Sequence, residues 1–189
     1  MDRNHGFFEN DVRVEWLTHP GADRKMQLLE TFSFTDPNDK IWIAESGHTI
    51  DGASIPSLFW SIIGPPFVGD YRRASVIHDV YCDTRSESWR ATHRMFYHAC
   101  RAGGVSWLKA RIMYAAVYAK GPRWDVSAHE FTTFDGLTIT EGTRLEVFTH
   151  ITDNDVRDVI TQIETEDLSL EEIETRLDEN TRLSAAPLV

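Results

Sequence analysis

Three side chains near the middle of the sequence, His78, Asp79 and His93, are of the types that move protons and hold cations. Imidazole titrates near neutrality, so His78 is suited to accept a proton from water as a general base. The adjacent Asp79 carboxylate is suited to a hard cation such as Ca²⁺. Neighbouring residues on a helix point roughly 100° apart, so the two would serve adjoining tasks and not share one ion symmetrically. The same pair also fits an architectural role, as a core histidine satisfied by a carbonyl beside a solvated aspartate.

His93 shares a helical stripe with Trp89, Phe96 and Cys100, which turns it toward a neighbouring helix. A polar group facing inward must find a hydrogen bond, and His78 is the candidate partner across that interface. His98 falls off the stripe and is expected at the surface. His48 precedes the segment Asp51-Gly52-Ala53-Ser54-Ile55-Pro56 and would either approach the site or end a strand. This segment joins a carboxylate to a glycine, so Asp51 and loop carbonyls are candidate Ca²⁺ ligands. As a plain turn, Asp51 would cap its own backbone and Ser54 the next helix. A zinc site from His48, His78, His93 and a cysteine is a further arrangement, although the spacing matches no compact zinc pattern.

These groups must be positioned by a strand-rich first half and a helical middle. Val12, Val14 and Trp16 alternate with charged residues, the period of a half-buried strand. Met26 to Phe34 is a second apolar stretch, and the turn cluster Asp36-Pro37-Asn38-Asp39 leads into Ile41, Trp42 and Ile43. A meander of three or four strands, ended by Ser46-Gly47, is expected. Leu58 to Ile63 form a dense apolar turn, closed by Gly64-Pro65-Pro66, which cannot continue a helix. Helical spacing predicts three helices: from about Asp70 to Asp83, from a Ser86 cap to Gly103-Gly104, and from Ser106 to Gly121-Pro122. The short link makes the first two antiparallel neighbours.

The remainder changes character. Phe131 to Phe148 alternates as a hairpin whose turn is either Asp135-Gly136 or Glu141-Gly142. Thr152 caps a helix to about Glu164, with Ile151 and Val156 as a hydrophobic staple. Ser169 and Glu172 form a capping box, with Leu168 and Ile173 as the staple, opening a last helix to about Glu179. The fold class is therefore α+β, with an N-terminal antiparallel β meander, an antiparallel helical hairpin and a third helix. The organisation is a core over residues 1–124, with strands within 7–50 and helices within 57–121, and an acidic hairpin and helix appendage over 125–189.

With 189 residues, 41% hydrophobic and 11% aromatic, the chain suits one folded domain. A net charge of −11 repels phosphate backbones, so nucleic acid is an unsuited partner even with several arginines in the helical middle. The start shows no apolar signal segment, and no apolar run is long enough for a transmembrane segment. Cys82 and Cys100 read as buried thiols in a reducing setting. A place in the cytoplasm of a host cell, or in a virion assembled there, is expected.

In order and type, these motifs resemble a family of uncharacterised proteins common in tailed phages and prophages, known as a domain of unknown function. The shared pattern is Leu28-Leu29 and Phe32, the Asp51-Gly52-Ala53-Ser54-Ile55-Pro56 segment, Gly64-Pro65-Pro66, Ala74, Ile77-His78-Asp79, Phe96 and Gly121-Pro122-Arg123-Trp124. A second similarity is to secreted bacterial and fungal phospholipases A₂, which carry a similar Asp-Gly loop, prolines, and His-Asp before an aromatic residue, here Tyr81. That resemblance implies His78 as base, with Asp79 and Asp51 as Ca²⁺ ligands, the cation polarising an ester carbonyl. Two positions depart from the patterns. Ala53 stands where the phospholipases have a cysteine, and His93 where the phage family commonly has an aspartate. A histidine brings no negative charge to steady an imidazolium.

Two functions follow. One is a calcium-dependent ester hydrolase acting on a lipid or another ester. The other is a non-enzymatic phage component, a virion accessory or host-interaction protein using its acidic tail to meet a phage or host protein. A His-Asp metallophosphohydrolase would need a further upstream histidine and a distant aspartate.

Overall fold

A computed structural model describes residues 3–21, 24–51, 69–132, 138–146 and 151–184. The turn and apolar segment expected over residues 52–66 lie outside these. An α+β chain results, with strands followed by helices. Six short strands come first: β1 (Phe7–Phe8), β2 (Val14–Trp16), β3 (Met26–Leu28), β4 (Phe32–Thr35), β5 (Ile41–Ala44) and β6 (Thr49–Ile50). They divide into two antiparallel sheets, ordered β1-β4-β5 and β2-β3-β6, where the sequence suggests one meander.

The break between the sheets has a local cause. Met26, Leu28, Phe32 and Phe34 keep one inward phase and are buried. Glu30 falls in the same phase, and a carboxylate cannot follow it into the core. The chain leaves the sheet at Leu29-Glu30, and Glu30 pairs with Arg13 at 2.8 Å at the surface. Asp36 builds the next turn, its Oδ1 accepting from the Asn38 and Lys40 amides, while its Oδ2 accepts from the Trp42 indole.

Among the described residues five α-helices follow: α1 (Arg72–Thr84), α2 (Trp89–Ala102), α3 (Trp107–Lys120), α4 (Asp153–Thr165) and α5 (Leu170–Ser184). α1 ends on Arg85 in the left-handed region, and α2 starts on Ser88, whose hydroxyl accepts from the Ala91 amide. The expected Ser86 cap is displaced because its hydroxyl pairs with Thr84 instead. α3 begins at Ser106 as expected and is buried on nearly every side, its alanines admitting close neighbours.

Between α3 and α4, β7 (Trp124–Thr132) pairs with β8 (Thr138–Glu146). The hairpin therefore begins at Trp124 and not near Phe131. Glu141 and Gly142 pair with His129 and Ala128, so they are strand residues, while Asp135-Gly136 lies outside the described residues. Both C-terminal helices carry the anticipated caps, Thr152 with Asp155 and Ser169 with Glu172. Val156, Val159, Ile163, Ile173 and Leu177 join the same buried cluster as Ile77, Phe96 and Tyr114. The helices of the segment expected as an appendage thus share the core of residues 1–124. Among the described residues, no helix is long and apolar enough to cross a membrane.

Candidate functional site

α1 is tied to its surroundings by three residues of one turn, His78, Asp79 and Tyr81. His78 points at α2, where its Nε2 lies 2.8 Å from His93 Nδ1. Asp79 turns toward the second sheet, its Oδ2 accepting from the Asp51 amide at 2.9 Å, just beyond β6. Tyr81 reaches the first sheet, where its hydroxyl accepts from the Ile43 amide at 3.0 Å. The roughly 100° step between successive helical residues sends each side chain to a different partner.

The histidine pair is dry. His78 and His93 are both 0% exposed, with the Phe96 ring 4.6 Å from His78 and Trp89 beside His93. Burial disfavours the charged ring, so His78 is held down to about 3. His93 lies well below the ordinary imidazole value, first through burial and then through His78 and the Arg123 guanidinium. The Pro122 carbonyl opposes this shift weakly, without reaching hydrogen-bond geometry at His93 Nε2. One neutral ring donates to the other.

Two further residues define the pocket around this pair. Cys82, one helical turn from His78 on the same face, places Sγ 3.7 Å from His78 Nε2. Gly121 packs against His93, and a Cβ there would meet the Val117 carbonyl at 2.4 Å and His93 Nε2 at 3.2 Å. Only glycine allows this approach.

Asp51, Asp79 and Cys82 line one cleft of about 390 Å³, together with Lys25, Thr49, Asp83 and Pro122. Asp51, Asp79, His78 and His93 are thus neighbours, but the carboxylates border the cleft and the imidazoles do not. His48 stands at the rim, its Nε2 3.3 Å from Asp83 Oδ2, and takes no part in the histidine pair. His98 is half-buried, its ring tilted against that of His5 with an Nδ1–Nδ1 separation of 3.3 Å. Burial and His5 hold it down to about 4. Sequence reasoning left the cysteine unassigned and missed Tyr81 as a tether. The signal for Cys82 was its four-residue step from His78.

Residues 26–117 match a family described as "Protein of unknown function (DUF1353)". Two relatives come from Sinorhizobium fredii. The uncharacterized protein y4jT is 53% identical over 98 residues, which make 52% of this chain and 29% of y4jT. The uncharacterized protein y4iH is 42% identical over 105 residues, 56% of this chain and 44% of y4iH. This chain therefore spans less than half the length of these relatives. No solved structure matches.

Proposed function

We propose that this chain is a non-catalytic, phage-type domain, a virion accessory or host-interaction component, in which the His-Asp motif holds the fold. One observation carries this reading: His78 is wholly buried against a neutral imidazole. A base depressed to about 3 has little affinity for a proton of water at neutral pH, and His93 offers no charge to stabilise the imidazolium. Asp79 and Tyr81 are engaged in the same way, each satisfying a backbone amide of a different sheet. Matches over about half of this chain make up only 29% and 44% of two longer relatives, which suits a module that serves by its position.

Two measurements test this. Purified protein with millimolar Ca²⁺ is expected to release no fatty acid from phospholipid vesicles, and His78→Gln to leave that result unchanged. Mass spectrometry of induced particles is expected to find the chain in them. Calcium-dependent ester release that disappears in His78→Gln would overturn the proposal.

A calcium-dependent ester hydrolase is the second reading, favoured by Asp51 and Asp79 lining one cleft. Their oxygen donors fit a hard cation, which would supply electrophilic polarisation of an ester carbonyl. In that reading Asp51 and Asp79 hold the ion and His78 accepts the proton of water, for which its ring must first gain access to the cleft. A rise in melting temperature with millimolar Ca²⁺, lost in Asp79→Asn, would favour it.

A further inference from the structure

We propose that His78, Cys82 and His93 form a site for a single zinc ion that clamps α1 to α2. Their ligand atoms all lie within 4.8 Å of one another, and all three side chains are buried. Zinc bonds of about 2.0–2.1 Å to nitrogen and about 2.3 Å to sulfur, at tetrahedral angles, set nitrogens about 3.3 Å apart and nitrogen from sulfur about 3.6 Å. The sulfur lies 3.7 Å from His78 Nε2 and 3.8 Å from Nδ1, over the face of the ring, so binding requires the Cys82 and His78 side chains to turn until the sulfur stands beside Nε2. The two nitrogens, at 2.8 Å, share a proton where the ion would sit and need to part by about half an ångström.

The donor set and its surroundings agree with this ion. Two imidazoles and a thiolate select zinc or a softer ion over Ca²⁺. Burial keeps both rings neutral, the form that ligates. His93 Nε2, turned away from His78, lies against Gly121 and is buried without a hydrogen-bond partner, while Nδ1 faces His78 Nε2, so Nδ1 is the nitrogen that would ligate. Binding releases one proton, from the Cys82 thiol, and each imidazole keeps one N–H on the nitrogen remote from the ion. Zinc with one thiolate carries a net positive charge, which Asp79 on the same cleft wall offsets. Cys82 is 6% exposed and borders the cleft, which gives the ion an entry and leaves the fourth position facing that side. Cys100 serves as an internal control: it is 0% exposed, with its thiol pushed up by burial and no place in the cluster.

The test uses the whole chain, stripped with a chelator and titrated with Co²⁺ and then Zn²⁺. One equivalent of Co²⁺ is expected to give tetrahedral visible bands and a thiolate-to-cobalt charge-transfer band, which Zn²⁺ displaces. Cys82→Ser should abolish the charge-transfer band and Cys100→Ser should retain it. His93→Gln should weaken zinc by about 100-fold, with circular dichroism confirming the fold. Absence of the band in the intact chain, or its survival in Cys82→Ser, would overturn the site. Zinc-dependent ester turnover would uphold the site while overturning the non-catalytic reading, and failure to bind zinc leaves that reading untouched.

Discussion

α2 meets its neighbours through two seams that bury polar groups in opposite ways. Toward α1 it offers His93, neutral and dry, against a neutral His78. Toward α5 it offers a stripe of arginines. Arg94 bonds Glu174 at 2.7 Å and Glu171 at 2.8 Å, Arg90 reaches Asp178 at 3.2 Å, and Glu174 also accepts from Tyr114. On α3, Arg111 and Lys120 pair with Asp167 and Asp153. Each of these ion pairs keeps one partner within reach of water, whereas the two facing imidazoles are fully buried and neutral. The difference teaches that five carboxylates of the acidic tail, Asp153, Asp167, Glu171, Glu174 and Asp178, are spent on the basic middle of its own chain.

Lowering the pH should separate the seams most strongly. In metal-free protein the unfolded imidazoles titrate near 6.5, whereas folded His78 stays neutral to about 3 and His93 lies well below 6.5. Among the described residues, Cys82, Arg123, Phe96 and Trp89 face the pair. Unfolding therefore takes up two protons between these limits. Stability is full above about pH 7 and falls as the pH drops below 6.5, by on the order of 3 kcal/mol per pH unit when both rings contribute. Half-buried His98 adds to this drop. Urea denaturation from pH 7.5 to 4.5 checks it, and His78→Gln should remove about half of the slope. A flat profile would show that the pair is not dry.

Phe96→Ala comes next, at about 3–5 kcal/mol, because it opens a cavity against His78 in a fully buried position. A loss under about 1 kcal/mol would mean that the seam is loosely packed. Asp79→Ala leaves the Asp51 amide without this acceptor and should cost about 1–3 kcal/mol, with faster hydrogen exchange at Asp51 as its signature. On the charged seam, Glu174→Gln should cost about 1–2 kcal/mol. Its carboxylate is 14% exposed, but Arg94, at 38%, is partly screened. Glu171→Gln, 66% exposed, should change stability by about 0.5 kcal/mol or less, and that remnant should vanish in high salt. Equal costs for Glu174 and Glu171 would erase the distinction between the inner and outer rows.

Helix ends were largely legible from local chemistry. Ser106, Thr152, Ser169 and Gly103 mark termini because a cap involves residues only a few positions apart. Where that reading slipped, at Ser86, a competing hydroxyl two residues away captured the side chain. Strand phases were legible too, but the assignment of β3 and β4 to different sheets was not, since one charged residue at Glu30 outweighed a continuous apolar pattern. At the site, the facing of His93 toward His78 followed from its stripe. That the imidazoles would be sealed while Asp79 and Cys82 border a cleft did not follow, and neither did the placing of His98.

Taken alone, the sequence determined the α+β class, most of the helix caps and the inward stripe of α2, because periodicity and capping act within one or two turns. Only the tertiary structure decided which groups meet His78, how dry that pair is, and that the acidic tail closes on Arg90 and Arg94. Those outcomes depend on contacts between residues far apart in the chain, where burial and packing choose among partners that local patterns leave equivalent.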